Sequence, residues 1–165
     1  MNKKEKKQKV LGILQTNARI TAVEIAERLM LEREDVEAII KDSETKKEIH
    51  GYYTLISPDA LDDKQVNALI EVNVSPEREH GFDHIARKIS KFPQVTDLML
   101  VSGTYDLILT VKGESLHDVA DFVATKLAPM DGIKGHSTHF ILKKYKEAGF
   151  QLDDDEEYER LNVTL

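Results

Sequence analysis

One stretch of the chain, residues 95–114, constrains the fold more than any other. It has the sequence VTDLMLVSGTYDLILTVKGE and predicts two apolar strands, Leu98–Val101 and Leu107–Val111, joined by the polar turn Ser102–Asp106. Short runs of Leu, Val, Ile and Thr around a glycine-containing turn are typical of a β-hairpin. Neither strand alternates cleanly between polar and apolar residues, so we expect both faces of the hairpin to need cover.

Length and composition indicate one ordinary domain or two small ones. The chain has 165 residues, and its 41% apolar content is enough for a hydrophobic core. It has no apolar run long enough to span a membrane, and its charged N-terminus is not followed by the apolar segment of a secretion signal. The absence of cysteine excludes disulfides and thiolate chemistry and fits a cytoplasmic protein.

The net charge of −7 is distributed unevenly along the chain. Residues 1–57 carry 11 Lys/Arg against 10 Asp/Glu, whereas residues 58–165 carry 12 against 20. This asymmetry predicts two modules with different partners. Overall acidity argues against non-specific nucleic-acid binding by the whole molecule, although a local basic surface remains compatible with it.

Three short helices are predicted at the start of the chain. The first is Lys3–Thr16; the second begins at Thr21, which can form a capping box with Glu24. The third, Arg33–Thr45, follows a tight turn at Met30–Glu32. This arrangement is typical of a helix-turn-helix. Small three-helix packings without a DNA role share the pattern, so it leaves both interpretations open.

From residue 66 the predicted order is strand, helix, strand, strand, helix, strand, which is an α+β ferredoxin-like arrangement. A strand over Ile49–Ile56 leads into it, and the last strand is predicted over Ser137–Lys143. Right-handed crossovers place both helices on one face of the sheet. If about 400 Å² of apolar surface stayed bare on the other face, the cost would be of order 10 kcal/mol, so we expect a homodimer paired through the sheet.

These patterns divide the chain into four segments. They are a helix-turn-helix domain (1–50), a linker strand (51–65), a ferredoxin-like oligomerisation domain (66–148) and an acidic tail (149–165). Within the tail, Asp153–Glu157 is a self-repelling run that usually stays solvated. Leu161–Leu165 has strand character and could pair with an open sheet edge.

Catalytic and metal-binding patterns are not found. The chain lacks a Gly-rich phosphate loop, a metal-binding helix motif and a nucleophile elbow, so we expect neither enzymatic activity nor a cofactor. His80 and His84 are four residues apart, and His136 and His139 share one strand, where odd spacing sends them to opposite faces. Neither pair has acidic or cysteine neighbours in sequence, so exposed or hydrogen-bonded histidines are favoured over a metal site.

The hairpin turn is the best candidate for ligand binding. Gly103 allows backbone amides to approach a ligand closely, and Asp106 can hold an ammonium group while exposed amides hold a carboxylate. These are the two ends of an amino acid. In the alternative interpretation Gly103 only makes the turn, Asp106 caps it and Tyr105 packs at the sheet margin. The residues alone favour this structural alternative.

Taken together, these segments resemble the leucine-responsive regulatory protein/AsnC family, the feast/famine transcriptional regulators. The likeness covers almost the whole chain and is strongest in the second module. The segments that carry it are IEVNV (70–74), FPQV (92–95), LVSGTYDLILTV (100–111), THFILKKYKE (138–147) and, in the linker, GY (51–52) followed by YTLISPDAL.

The resemblance implies a DNA-binding regulator that dimerises through its sheet, often assembles into octamers and binds a small effector, commonly an amino acid, between subunits. The effector residues implied by the hairpin are Ser102, Gly103, Tyr105 and Asp106. The last strand of the family commonly offers a Thr-x-Thr pair, and the matching positions here are His136 and Thr138. An imidazole in place of the first hydroxyl implies an altered ligand or a pH-sensitive site.

The first module departs further from the family. Met30 and Glu32 stand where Gly and a Ser cap are usual, and Ser43 and Lys47 replace a core Leu and a helix-ending Gly. The third helix has two basic residues against five acidic ones, a poor match to DNA phosphates. The residues expected to contact double-stranded DNA are Lys3, Lys4, Lys6, Lys7, Arg33 and Lys41.

Two hypotheses follow from these departures. The first is an effector-controlled regulator whose DNA contact is weakened or rearranged. The second is an effector-binding oligomeric module with a degenerate helix-turn-helix that acts through partner proteins.

Overall fold

The computed structural model describes residues 1–61, 64–75 and 81–152. The chain divides into two units, Met1–Ile56 and Ser57–Leu165, and the division falls inside the predicted linker. Each unit has its own hydrophobic core. Within the described ranges, no helix combines the length and apolar character needed to cross a membrane.

The first unit contains the three predicted helices: α1 (Lys3–Thr16), α2 (Ala22–Leu29) and α3 (Arg33–Thr45). The predicted capping box is confirmed. The Thr21 hydroxyl accepts from the Glu24 amide at 3.2 Å, and the Glu24 carboxylate accepts from the Thr21 amide at 2.8 Å. The helices enclose a small core, whose buried members are Val10, Ile20, Ile25, Ala26 and Val36.

Residues that depart from the family pattern occupy the ends and core of these helices. Met30, at the end of α2, has left-handed φ and ψ angles of 52° and 51° and is 94% exposed. Lys47, after α3, has a φ of 55°, and Glu32 makes no side-chain cap to α3. Ser43 is fully buried. Glycine in place of Met30 or Lys47 would remove the steric strain of the left-handed backbone, because glycine has no Cβ.

The strand predicted over Ile49–Ile56 is wrong for the isolated chain. Residues 50–57 have no regular secondary structure, and one turn of 3₁₀ helix follows at Pro58–Leu61. A strand needs hydrogen-bonded neighbours to form a ladder. The described part of the first unit is otherwise helical and offers none.

The second unit is a four-stranded antiparallel sheet with two helices, as the ferredoxin-like prediction requires. The elements are β1 (Val66–Val74), α4 (Asp83–Ile89), β2 (Val95–Leu100), β3 (Leu107–Gly113), α5 (Leu116–Phe122, continued as π-helix over Val123–Leu127) and β4 (Ile133–Phe140). The strands run in the order β2-β3-β1-β4, with β1 between β3 and β4.

Alternate residues of the central strands form the core of this unit. On β1 and β3 the inward side chains are fully or almost fully buried: Ala68, Ile70, Val72, Val74, Leu107, Leu109 and Val111. They pack with Ile85 and Ile89 of α4 and with side chains of the α5 segment. The rings of Phe92 and Phe122 meet edge to face, with centroids 5.4 Å apart.

The expectation of two apolar faces is wrong for β3. The register places Leu107, Leu109 and Val111 inward, so the outward residues are Ile108, Thr110 and Lys112. The uncovered face therefore carries both polar and apolar side chains rather than apolar ones alone. Its large apolar side chains within the described residues are Ile108, Leu69 of β1 and Met99 of β2, since residues directly opposite in a ladder share a face.

The spacing of apolar residues predicts a buried stripe on helix α5, formed by Leu116, Val119, Ala120, Val123 and Leu127. Val119, Val123 and Leu127 are buried as expected, but Leu116 and Ala120 are exposed and Phe122 is buried instead. Ser115 caps the helix by accepting from the Asp118 amide at 3.2 Å. Leu116 is the first residue after this cap.

The last strand begins earlier than predicted, at Ile133 instead of Ser137, and ends at Phe140. Its start is fixed by the pairing of Ile133 with Val74 across a register shift. A small hairpin follows, β5 (Lys146–Glu147) and β6 (Phe150–Gln151), whose turn residues Ala148 and Gly149 both have positive φ. The predicted boundary between residues 148 and 149 falls in this turn.

Some predictions lie outside the described residues. They concern the acidic run and strand-like end of the tail within 153–165, and His80.

Replacing Gly132 with alanine tests the packing at the start of β4. Gly132 has a φ of 91°, and an added Cβ would overlap the Ile85 side chain. We expect Gly132→Ala to lower the free energy of unfolding by about 2 kcal/mol or more. Urea unfolding measures this. Gly135→Ala is the control, because a Cβ there meets no atom within 4 Å; equal losses in both variants would contradict the assignment.

Replacing Met30 with glycine tests the strain in the turn between α2 and α3. Because Met30 is left-handed and 94% exposed, glycine removes the Cβ penalty and gives up almost no packing. We expect Met30→Gly to raise the free energy of unfolding by about 1 kcal/mol. Met30→Ala keeps the penalty and should give no gain. A gain of the same size from alanine would show that backbone strain is not the cause.

Candidate functional site

The Ser102–Asp106 turn is exposed at one end of the sheet. Ser102 and Gly103 are open to solvent, while Tyr105 and Asp106 are half-buried. A Cβ at Gly103 would meet no atom within 4 Å. The packing of this chain alone therefore leaves free space beside Gly103.

Asp106 anchors the turn to strand β1. Its Oδ2 accepts from the Val74 amide at 2.8 Å, and its own amide donates to the Val72 carbonyl at 3.1 Å. Its carbonyl accepts from the Val101 amide at 2.9 Å, which closes the turn. Asp106 thus has the capping role of the structural alternative. Oδ1 makes no hydrogen bond with another described residue, so the carboxylate also has an oxygen left to bind a cation.

The other two predicted effector residues lie on the far side of β1. His136 pairs with Val72, which pairs in turn with Leu107 at the end of the hairpin turn. Two strand spacings, about 10 Å, therefore separate the backbone of the turn from that of His136. His136 is exposed and Thr138 is half-buried. Within one chain the structure brings the four turn residues together but leaves the His136–Thr138 pair on the opposite flank.

Sequence reasoning missed an acidic partner for His139. The His139 Nε2 lies 3.1 Å from the Glu71 Oε2 on the uncovered face of the sheet. The two residues are 68 apart in sequence, so only the pairing of β1 with β4 brings them together. The described residues contain no group of three or more His, Cys, Asp or Glu side chains that could hold a metal ion.

A cleft of about 650 Å³ lies at the other end of the same sheet, between the α5 segment and strands β2 and β3. Its lining includes Gln94, Lys112, Asp121 and Lys126. About 20 Å of strand separates it from the Ser102–Asp106 turn. This cleft therefore does not include the predicted effector residues.

The six predicted DNA-contacting residues fall into two groups. Lys6 is bound to Asp35 at 2.8 Å, Lys7 to Glu48, and Arg33 to Glu37 at 2.6 Å. The other three are exposed and make no ion pair with a described residue; they are Lys3, Lys4 and Lys41. Half of the cationic surface expected to face phosphate is thus neutralised within the chain.

Helix α3 presents an acidic surface whose carboxylates are mostly engaged. Besides the pairs of Asp35 and Glu37, Asp42 binds Lys46 at 2.7 Å and Glu44 accepts from the Tyr52 hydroxyl at 2.8 Å. The Lys46 ammonium holds the pKa of Asp42 below its ordinary value. Glu34 makes no ion pair with a described residue. Since α3 follows the α2–α3 turn, it holds the position of a recognition helix.

Known proteins are similar to this chain over both of its units. The model of the Lrp/AsnC ligand binding domain matches residues 67–149. The uncharacterized HTH-type transcriptional regulator YugG of Bacillus subtilis is 39% identical over 155 residues, which cover 92% of this chain and 93% of YugG.

Solved structures share the fold. MtbAldR (Rv2779c) superposes with a TM-score of 0.74 at 21% identity, covering 88% of this chain and 98% of that one. The L-Met complex of the transcriptional regulator NMB0573 from Neisseria meningitidis gives a TM-score of 0.67 at 25% identity, covering 90% of this chain and 96% of that one. The chain belongs to the Lrp/AsnC family of transcriptional regulators.

Proposed function

We propose that this protein is a cytoplasmic, non-enzymatic transcriptional regulator that binds double-stranded DNA through α2 and α3 and responds to a small amino-acid effector. The observation that carries the proposal is the presence in one chain of a helix-turn-helix unit and an Lrp/AsnC ligand-binding unit. The three-residue connection between α2 and α3 supports the DNA role, because it places α3 across the end of α2.

Among the predicted DNA-contacting residues, the best supported are the exposed lysines Lys3, Lys4 and Lys41. They can neutralise phosphate without breaking an ion pair of the described chain. The further proposed contacts are Lys6, Lys7 and Arg33. Each of these side chains must first break its ion pair with a carboxylate. The resulting affinity is weaker than an unpaired basic surface of the same size would give.

The effector site is proposed at the Ser102–Asp106 turn, with Asp106 binding the ammonium group and exposed turn amides binding the carboxylate. The β1 partners of His136 and Thr138 are the inward-facing Val72 and Ile70, so this pair lies on the helix-covered face at the other flank of β1. A pocket that uses both sets therefore needs a second subunit at a contact other than the uncovered sheet face. We propose a homodimer paired through the uncovered sheet face, with assembly into octamers as a further step. L-methionine is the first effector to test, because the similar regulator NMB0573 was solved as its L-Met complex.

A second candidate function is favoured by the acidity of α3. Two basic side chains stand against five carboxylates on this helix, and three predicted phosphate contacts are already paired. In this alternative the helix-turn-helix no longer reads DNA. The protein then acts as an effector-binding oligomer that modulates a partner protein.

DNA binding across a salt series separates the two functions. The probe is DNA from upstream of the gene for this chain, with a scrambled duplex as control, each with and without L-methionine and the other standard amino acids. For a regulator we expect a preference for the upstream DNA and an affinity that falls steeply with salt. No preference at low salt, from a protein that remains a folded oligomer, would favour the second candidate.

Asp106→Asn tests the effector site without removing the anchor of the turn. Asparagine keeps an oxygen that can accept from the Val74 amide but loses the charge that attracts an ammonium group. Hydrogen bonds to charged groups contribute about 1.5–3 kcal/mol, so we expect effector binding by calorimetry to weaken about tenfold or more.

The control for this variant is Asp121→Asn, which removes the same charge from the exposed surface of α5. It should leave effector binding unchanged. Urea unfolding of both variants checks that the turn is intact. Full effector affinity in a folded Asp106→Asn protein would remove Asp106 from the site.

A further inference from the structure

Two lysines of α1 are held by carboxylates that lie far away in sequence. Lys6 binds Asp35, 29 residues along the chain and in the first turn of α3, with the Nζ and Oδ2 atoms 2.8 Å apart. Lys7 binds Glu48, which follows α3. These contacts differ from the pairs Arg33–Glu37 and Lys46–Asp42, which join neighbouring turns of one helical segment. They engage two of the lysines that are proposed to contact phosphate.

The two pairs are open enough to exchange partners. Side chains of Lys6 and Asp35 are 31% and 50% exposed, and those of Lys7 and Glu48 are 28% and 41% exposed. Partly exposed ion pairs add little to folding stability because water and salt screen them. The Lys7 ammonium nevertheless holds the pKa of Glu48 below its ordinary value, so Glu48 stays ionised at neutral pH.

We propose that Asp35 and Glu48 are internal competitors of DNA phosphate, which hold Lys6 and Lys7 and thereby set the strength and salt dependence of DNA binding. This inference rests on the proposed DNA-binding function. While a lysine stays paired with a carboxylate, it displaces no cation from the DNA. To contact phosphate it must first give up that carboxylate, so the contact contributes less free energy than one made by an unpaired lysine.

The test is to remove each competitor without changing the size of the side chain. Asp35→Asn and Glu48→Gln should each tighten binding to the upstream DNA by roughly threefold or more at low salt, and should each steepen the slope of log affinity against log salt by about 0.9. The double variant should show the sum of both changes, since the two pairs share no partner.

Two controls separate a freed lysine from a general loss of negative charge. Glu34→Gln removes a carboxylate next to Asp35 on the same helix, but no lysine of the described chain is paired with Glu34. It should leave the salt slope unchanged. Adding Lys6→Met to Asp35→Asn should remove the steeper slope again, because the lysine that makes the phosphate contact is gone.

Each outcome decides something definite. A wild-type protein that binds the upstream DNA, with no change of slope in Asp35→Asn or Glu48→Gln, overturns this inference and leaves the proposed function standing. An equal change in Glu34→Gln also overturns it. No binding by the wild type together with binding by the double variant supports it strongly. No binding by any variant, with folding confirmed by urea unfolding, overturns both the inference and the DNA-binding function.

Discussion

Strand β1 is the element on which the second unit depends. It pairs with β3 on one side and β4 on the other, and its inward side chains Ala68, Ile70, Val72 and Val74 form the middle of the core. The same strand supplies the backbone groups that hold Asp106. Core, sheet and the Ser102–Asp106 turn are therefore coupled, because a shift of β1 by one residue would turn its apolar side chains outward and break the anchor of the turn.

The first unit shows a different balance between stability and charge. Its small core is supplemented by ion pairs between α1 and the α3 region, and its connections contain two non-glycine residues in left-handed conformations, Met30 and Lys47. Lys6 and Lys7, which pair with carboxylates, are among the lysines proposed to contact phosphate. In the proposed function, the ion pairs of this unit and DNA phosphate therefore compete for these two side chains.

Patterns with strong local causes could be predicted well. The capping box at Thr21, the three helices and the order of strands and helices after residue 66 all follow from side-chain periodicity and end signals. The errors arose where distant segments decide the outcome. The start of β4 depends on its register against β1. The strand near Tyr52 failed because a strand has no stability without a neighbour.

The sequence by itself determined the fold class and the candidate turn, because strand alternation, helix periodicity and a glycine between two apolar runs are local properties. Only the tertiary structure decided how the charged groups are used. It brought Glu71 to His139, Asp35 to Lys6 and Glu48 to Lys7, and it fixed Asp106 on the Val74 amide. Contacts of this kind join residues tens of positions apart, and a chain specifies them only through the packing and register of its folded elements.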